Sequence, residues 1–132
     1  MKLAPPPLIA LFGLLCHLEG TNAAHSISYH GQASFYGLEA CRVNPNPRCP
    51  TASGASLPAL IAANTPYMAA WFGDFGSWWR VCGPEGCAVA ILLDRGPAKR
   101  LNRIADLSPT VFAKVCGSLR QGVCLVTINP LP

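Results

Sequence analysis

The order of apolar and polar positions along the chain predicts several short strands joined by turns. Residues 32–36 alternate well enough for a first strand, after a polar stretch, 25–31, that reads as a loose lead-in. Residues 37–56, rich in Gly, Pro, Asn and Ser, read as a long excursion. The short apolar run 57–63 is predicted as a buried strand. The stretch that follows is dense in aromatics and broken by Gly73 and Gly76. Two strand-like runs, 79–82 and 87–93, then flank Gly83-Pro84-Glu85-Gly86, which signals a hairpin. Ser108 before Pro109 reads as a helix N-cap and first helical position, with a short helix ending at Gly117. β-Branched residues over 123–128 predict a closing strand. Short strands with one helix describe a small closed β-barrel better than a layered α/β fold.

Composition narrows this picture. A chain of 132 residues has room for one domain. Apolar residues make up 51% and charged residues 12%, a balance that excludes an intrinsically disordered chain. Thirteen Pro and twelve Gly favour turns over long helices. Lys2, the apolar run 8–15 and the small residues Thr21 and Ala23 have the layout of a secretory signal peptide, expected over residues 1–23. The run is too short to span a membrane, so no stable membrane insertion is expected. Lipid attachment at Cys16 is disfavoured because Leu15, not a small residue, precedes it. The expected mature domain, 24–132, is secreted, periplasmic or associated with a cell wall.

Removal of residues 1–23 takes Lys2, Glu19 and Cys16, so the formal net charge stays at +4 and six of the seven cysteines remain. An even number suits an oxidising compartment. Spacing alone leaves the pairing open, but local geometry offers three candidates. Cys82–Cys87 would clamp the hairpin, Cys41–Cys49 would close the Pro/Asn-rich loop, and Cys116–Cys124 would tie the helix end to the last strand. The rival is a metal site, but no His lies near these cysteines and no paired CxxC occurs, so neither metal nor cofactor is expected.

Five stretches occur in an order that carries a resemblance. They are Gly31-Gln32-Ala33-Ser34-Phe35-Tyr36-Gly37, Thr51-Ala52-Ser53-Gly54, Phe75-Gly76-Ser77-Trp78-Trp79-Arg80-Val81, Asp94-Arg95-Gly96-Pro97, and Arg103-Ile104-Ala105-Asp106-Leu107-Ser108. Over residues 31–128 the chain resembles the barrel domain of rare lipoprotein A, a bacterial peptidoglycan lytic transglycosylase. More distantly it is similar to expansins, barwin-like proteins and small endoglucanases. The resemblance implies an all-β fold with one or two short helices, a six-stranded double-psi β-barrel. Function has to be argued from the site.

A lytic transglycosylase cleaves without water, because the sugar's own 6-hydroxyl attacks the anomeric carbon. One carboxyl with a raised pKa suffices, unlike the paired carboxylates of ordinary glycoside hydrolysis. The mature chain offers Glu39, Asp74, Glu85, Asp94 and Asp106. Asp94 ends an apolar run where a barrel strand would reach the rim, and the resemblance implies a catalytic role for it. The alternative is a carboxylate that accepts backbone N–H bonds and holds the Gly96-Pro97 turn. Asp106, in Asp-Leu-Ser, resembles the acid of expansins and small endoglucanases, against a structural role ahead of the helix.

The pattern also departs from the family. Where the family has Ala-Ala-His with a catalytic His, this chain has Ala62-Ala63-Asn64. An amide orients a substrate but does not shuttle protons near neutral pH. Ala55 stands where the family often has Glu, and His30 is expected to be solvated. Asn64, Tyr36, Trp71, Trp78 and Arg95 are the expected substrate contacts, with the indoles stacking on sugar rings. Trp79 and Phe75 are expected in the core. Arg95, Lys99, Arg100 and Arg103 cluster around the acid-bearing loop and would attract an anionic wall. Nucleic acid is not expected in an exported domain without a binding motif. The leading expectation is a monomeric, exported peptidoglycan lytic transglycosylase acting on glycan strands or other wall polysaccharide. The alternative is a non-catalytic glycan-binding or wall-loosening module of expansin or barwin type.

Overall fold

The computed structural model describes residues 27–132, and the signal peptide expected over residues 1–23 lies outside the described residues. Six strands are present: β1 (Tyr29–Phe35), β2 (Tyr67–Ala69), β3 (Trp78–Gly83), β4 (Gly86–Asp94), β5 (Ala105–Leu107) and β6 (Cys124–Pro130). They close in the order β1-β5-β2-β4-β3-β6. The β1/β5 and β2/β4 pairs are parallel and the other four are antiparallel. Two helices join them, α1 (Leu57–Ala62) and α2 (Pro109–Cys116).

Alternate strand residues fill the barrel: Ala33, Met68, Val81, Ala90, Leu92, Ala105, Leu107 and Ile128 are fully buried. Helix α2 adds Val111, Phe112, Val115 and Cys116 to the same cluster. It starts where the sequence predicts, with the Ser108 hydroxyl accepting from the Val111 N–H and Pro109 in the first turn. A side chain at Gly83 in the hairpin would collide with the Val115 carbonyl, so this glycine sets how closely α2 approaches.

The hairpin forms within a residue of its expected ends. Three local expectations are corrected. The lead-in is partly strand: β1 begins at Tyr29, which pairs with Ile128 of β6 and stacks on Phe72 at 3.8 Å between ring centroids. A polar stretch serves because this strand needs only one apolar face. The run 57–63 is helix rather than strand, because the Ser56 hydroxyl caps it by accepting from the Ala59 N–H and Pro58 favours its first turn. Its residues Leu57, Leu60 and Ile61 share one face and join Cys49, Tyr36, Tyr67 and Leu93 in a second cluster. Phe75, expected in the core, is 41% exposed, whereas Trp79 is buried as expected.

That second cluster gives the 37–56 excursion its structure. The excursion contains a 3-10 turn (Leu38–Cys41), the Cys41–Cys49 disulfide and a bridge between Pro50 and Ser56. It packs on the outside of the barrel wall against Tyr36, Tyr67 and Leu93. The other disulfides are Cys82–Cys87 and Cys116–Cys124, the pairings that local geometry favours. Among the described residues, no helix is long and apolar enough to cross a membrane.

Candidate functional site

Strand β2 places the two candidate acids. Ala69 pairs with Asp106 of β5 on one side and with Asp94 of β4 on the other. The acids thus flank one strand, with Cα atoms about 10 Å apart, or two strand spacings. A register irregularity between Met68 and Ala69 makes this possible. Met68 pairs with Leu92 and Ala69 with Asp94, so Leu93 is the extra residue and Asp94 is re-aimed to the outer wall. On β5, Ala105 and Leu107 point inward, which turns Asp106 outward.

The two carboxylates sit in different surroundings. Asp94 Oδ1 accepts from the backbone N–H groups of Ala52 and Arg95, both at 2.9 Å, and Oδ2 accepts from the Tyr36 hydroxyl at 3.0 Å. It thereby ties the Thr51-Ala52-Ser53-Gly54 turn to the end of β4, helped by the Ser53 N–H donating to the Leu93 carbonyl at 3.1 Å. Among the described residues the Asp106 carboxylate accepts one hydrogen bond, from the Ser34 hydroxyl at 2.6 Å, across the parallel register that sets Ser34 opposite Asp106. Burial raises its pKa above the ordinary 3.8; Ser34 and the Arg103 charge oppose the rise, and the charges of Asp94 and Glu39 add to it.

Two tyrosines wall the acids in. Burial, then the charge and hydrogen bond of Asp94, raise the Tyr36 pKa, so its hydroxyl is a standing donor. The Tyr67 hydroxyl donates to the Tyr36 carbonyl at 2.7 Å, and burial followed by the charges of Glu39 and Asp106 pushes it up to about 12. Beyond Tyr67 lies a cavity of about 260 Å³ lined by Gly37, Glu39, Ile61, Asn64, Tyr67 and Ser108. Asn64 therefore faces this cavity, whose wall includes neither Asp94 nor Asp106. Its backbone explains its identity as well: φ is 54° just past the C-cap of α1, a conformation that Asn tolerates better than most residues.

On the other side of Asp94, the aromatic segment is pinned. Arg95 Nη1 donates to the Ala70 and Phe72 carbonyls at 3.2 and 3.0 Å, and Nη2 to the Gly73 carbonyl at 2.9 Å. Its guanidinium also lies 4.3 Å from the Phe75 ring centroid. Arg95 thus organises the loop that presents the aromatics. The Trp71 indole N–H donates to the Pro97 carbonyl at 2.6 Å, and Lys99 Nζ lies 4.9 Å from its ring centroid. Trp71 remains 51% exposed, a fixed and open ring beside the Asp94–Pro97 turn. Trp78 is also exposed, but on β3, opposite Ile91. His30 bonds Ser28 and Thr127 at exposed positions.

Sequence reasoning missed Ser34 as the partner of Asp106, Phe75 as a surface ring and Lys99 as the companion of Trp71. Ser34 had a signal, since it is the polar residue between the apolar pair Ala33 and Phe35. The other two depend on how one loop folds against another. Among the described residues, no group of three or more His, Cys, Asp or Glu is placed to hold a metal ion.

No protein-family model matches the chain, and no curated protein matches it in sequence. Solved structures do match. The apo expansin of Clavibacter michiganensis is 20% identical with a TM-score of 0.61, and the match covers 80% of this chain and 51% of that one. An Asp-to-Asn variant of a Clavibacter michiganensis expansin, in complex with cellohexaose, is 22% identical with a TM-score of 0.57 and the same coverages. The fungal elicitor cerato-platanin is 17% identical with a TM-score of 0.45, covering 77% of this chain and 92% of that one. The chain spans about half the length of the expansins it matches. The likeness to the expansins shows the fold: the six-stranded closed barrel is a double-psi β-barrel.

Proposed function

We propose that this domain is a binding or loosening module for cell-wall polysaccharide in an extracellular setting. The observation that carries the reading is the Trp71 ring, half open and clamped by the Pro97 carbonyl and Lys99 next to the Asp94 turn. A flat apolar ring held in one orientation covers the C–H face of a pyranose at little entropic cost. Asp106, two strand positions from Asp94 on the same wall, supplies an acceptor for sugar hydroxyls. The expansin fold carrying cellohexaose supports a glycan as the ligand class. Three disulfides fit an oxidising location.

Binding is tested by co-sedimentation with insoluble cell-wall preparations, with Trp71→Ala as the control variant. Retention of the protein on the wall and at least a fivefold weakening in the variant are expected. Equal retention of both proteins would remove Trp71 from the function.

A second reading is favoured by the setting of Asp106, a part-buried carboxyl hydrogen-bonded to Ser34 whose burial raises its pKa. A carboxyl that keeps its proton further toward neutral pH can protonate a glycosidic oxygen. In that reading Asp106 is the proton donor, Asp94 the anchor of the turn beside it, and peptidoglycan is cleaved to anhydro-muramic ends. Incubation of peptide-stripped peptidoglycan with the protein, followed by product masses, decides it. Anhydro ends that vanish with Asp106→Asn favour cleavage; binding without such ends leaves the module.

A further inference from the structure

Four cations crowd the segment from Arg95 to Arg103, and they are used differently. Arg95 is turned onto the loop carbonyls of residues 70, 72 and 73. Arg103 is close enough to Asp106 to act on its charge. Lys99 and Arg100 are exposed on a 3-10 turn, Lys99–Leu101. The turn is held by the Asn102 N–H donating to the Lys99 carbonyl at 3.2 Å, with Asn102 at φ 52°. Lys99 Nζ lies 4.9 Å from the Trp71 ring centroid.

A pyranose stacked on this indole would present its C–H face to the ring and its equatorial groups outward around the ring's perimeter. Lys99 Nζ lies over the ring, so a sugar stacking on that face moves the ammonium to the perimeter, where its flexible four-carbon stem reaches those groups. A neutral sugar would strip water from the ammonium without returning a charge. A sugar carboxylate would return one through a charge-assisted hydrogen bond. The nearby acid is engaged elsewhere, with Asp94 accepting from Tyr36, Ala52 and Arg95. The chain's net charge of +4 favours the same class of ligand.

We infer that the Trp71–Lys99 pair selects carboxylated polysaccharides over neutral glucans, with Trp71 stacking on the sugar and Lys99 taking its carboxylate. This rests on the polysaccharide-binding reading above.

The test measures binding to four polymers: polygalacturonate, the same polymer fully methyl-esterified, peptide-stripped peptidoglycan with its lactyl carboxylates, and cellohexaose as the neutral glucan. The expected result is about a tenfold preference for free acid over ester, the size of one charge-assisted contact, shrinking as salt is raised. Lys99→Gln should abolish the preference for acid over ester, whatever it does to binding of the ester itself. Trp71→Ala should weaken binding to acid and ester alike, and Arg120→Gln, a charge change on another exposed turn, should leave the preference intact. Preference for polygalacturonate assigns uronates; preference for peptide-stripped peptidoglycan over cellohexaose assigns lactyl ethers. Equal binding of acid and ester, or a preference that survives Lys99→Gln, overturns the inference and leaves the module reading standing. Failure to bind any of the four overturns both.

Discussion

Asp106 accepts a hydrogen bond from the Ser34 hydroxyl on the barrel wall, and its raised pKa ties the stability of the fold to pH. A carboxyl with a folded pKa above its unfolded one binds its proton more tightly when folded. The linked stability is complete below the ordinary 3.8 and is lost as pH rises through the raised value. Asp106→Asn cannot ionise and escapes this loss. Melting temperatures of the two proteins should therefore lie closest in acid and diverge in the variant's favour toward neutral pH. A gap that stays constant with pH would contradict the burial argument. At Tyr36 the expectation is simpler. Tyr36→Phe removes the donor to Asp94 Oδ2 and leaves the two backbone donors on Oδ1. Loss of one charge-assisted bond costs about 1–2 kcal/mol, measurable as a lowered denaturation midpoint with an unchanged m value.

At the scale of elements, the aromatic loop depends on a side chain outside it. Arg95 spans three carbonyls with its planar fork and lies against the Phe75 ring. A lysine there offers a point charge and no fork. Arg95→Lys should therefore weaken polysaccharide binding about as much as Trp71→Ala does, although residue 95 makes its bonds to protein carbonyls, while the circular dichroism of the barrel is kept. The hairpin and α2 meet at Gly83, where any side chain would strike the Val115 carbonyl. Gly83→Ala should cost about 1–3 kcal/mol in chemical denaturation, because α2 must move off the barrel to admit a methyl group. These dependences also explain how far the sequence could be read. The β3–β4 hairpin, α2 and β6 were legible because each repeats its pattern over several residues and has a turn or cap to end it. Strands β2 and β5 have three residues each, too few for a period to emerge, and they carry the geometry that puts Asp94 and Asp106 around Ala69. Helix α1 was misread because its run of apolar residues fits a short strand as well as a short helix, and the Ser56 cap decided the outcome.

For the whole molecule, the disulfides divide the labour with the core. Cys116–Cys124 joins the buried end of α2 to β6, and Cys41–Cys49 closes the excursion, each eight residues apart in sequence. Cys82–Cys87 joins strands that the hairpin already pairs at that position. Replacing the Cys116/Cys124 pair by Ala should cost about 2–4 kcal/mol, and replacing the Cys82/Cys87 pair less, as read by thermal or urea unfolding. Equal losses would mean that loop closure, not attachment of α2, is what the bridges supply. The architecture was legible from motif order over residues 31–128. The candidate site was legible only in its acids and one indole, since the rest depends on contacts between segments far apart in sequence. Closure of the six strands has one more consequence. Among the described residues each of the six strands has a neighbour on both sides, so none is left as a whole edge strand for another copy to extend.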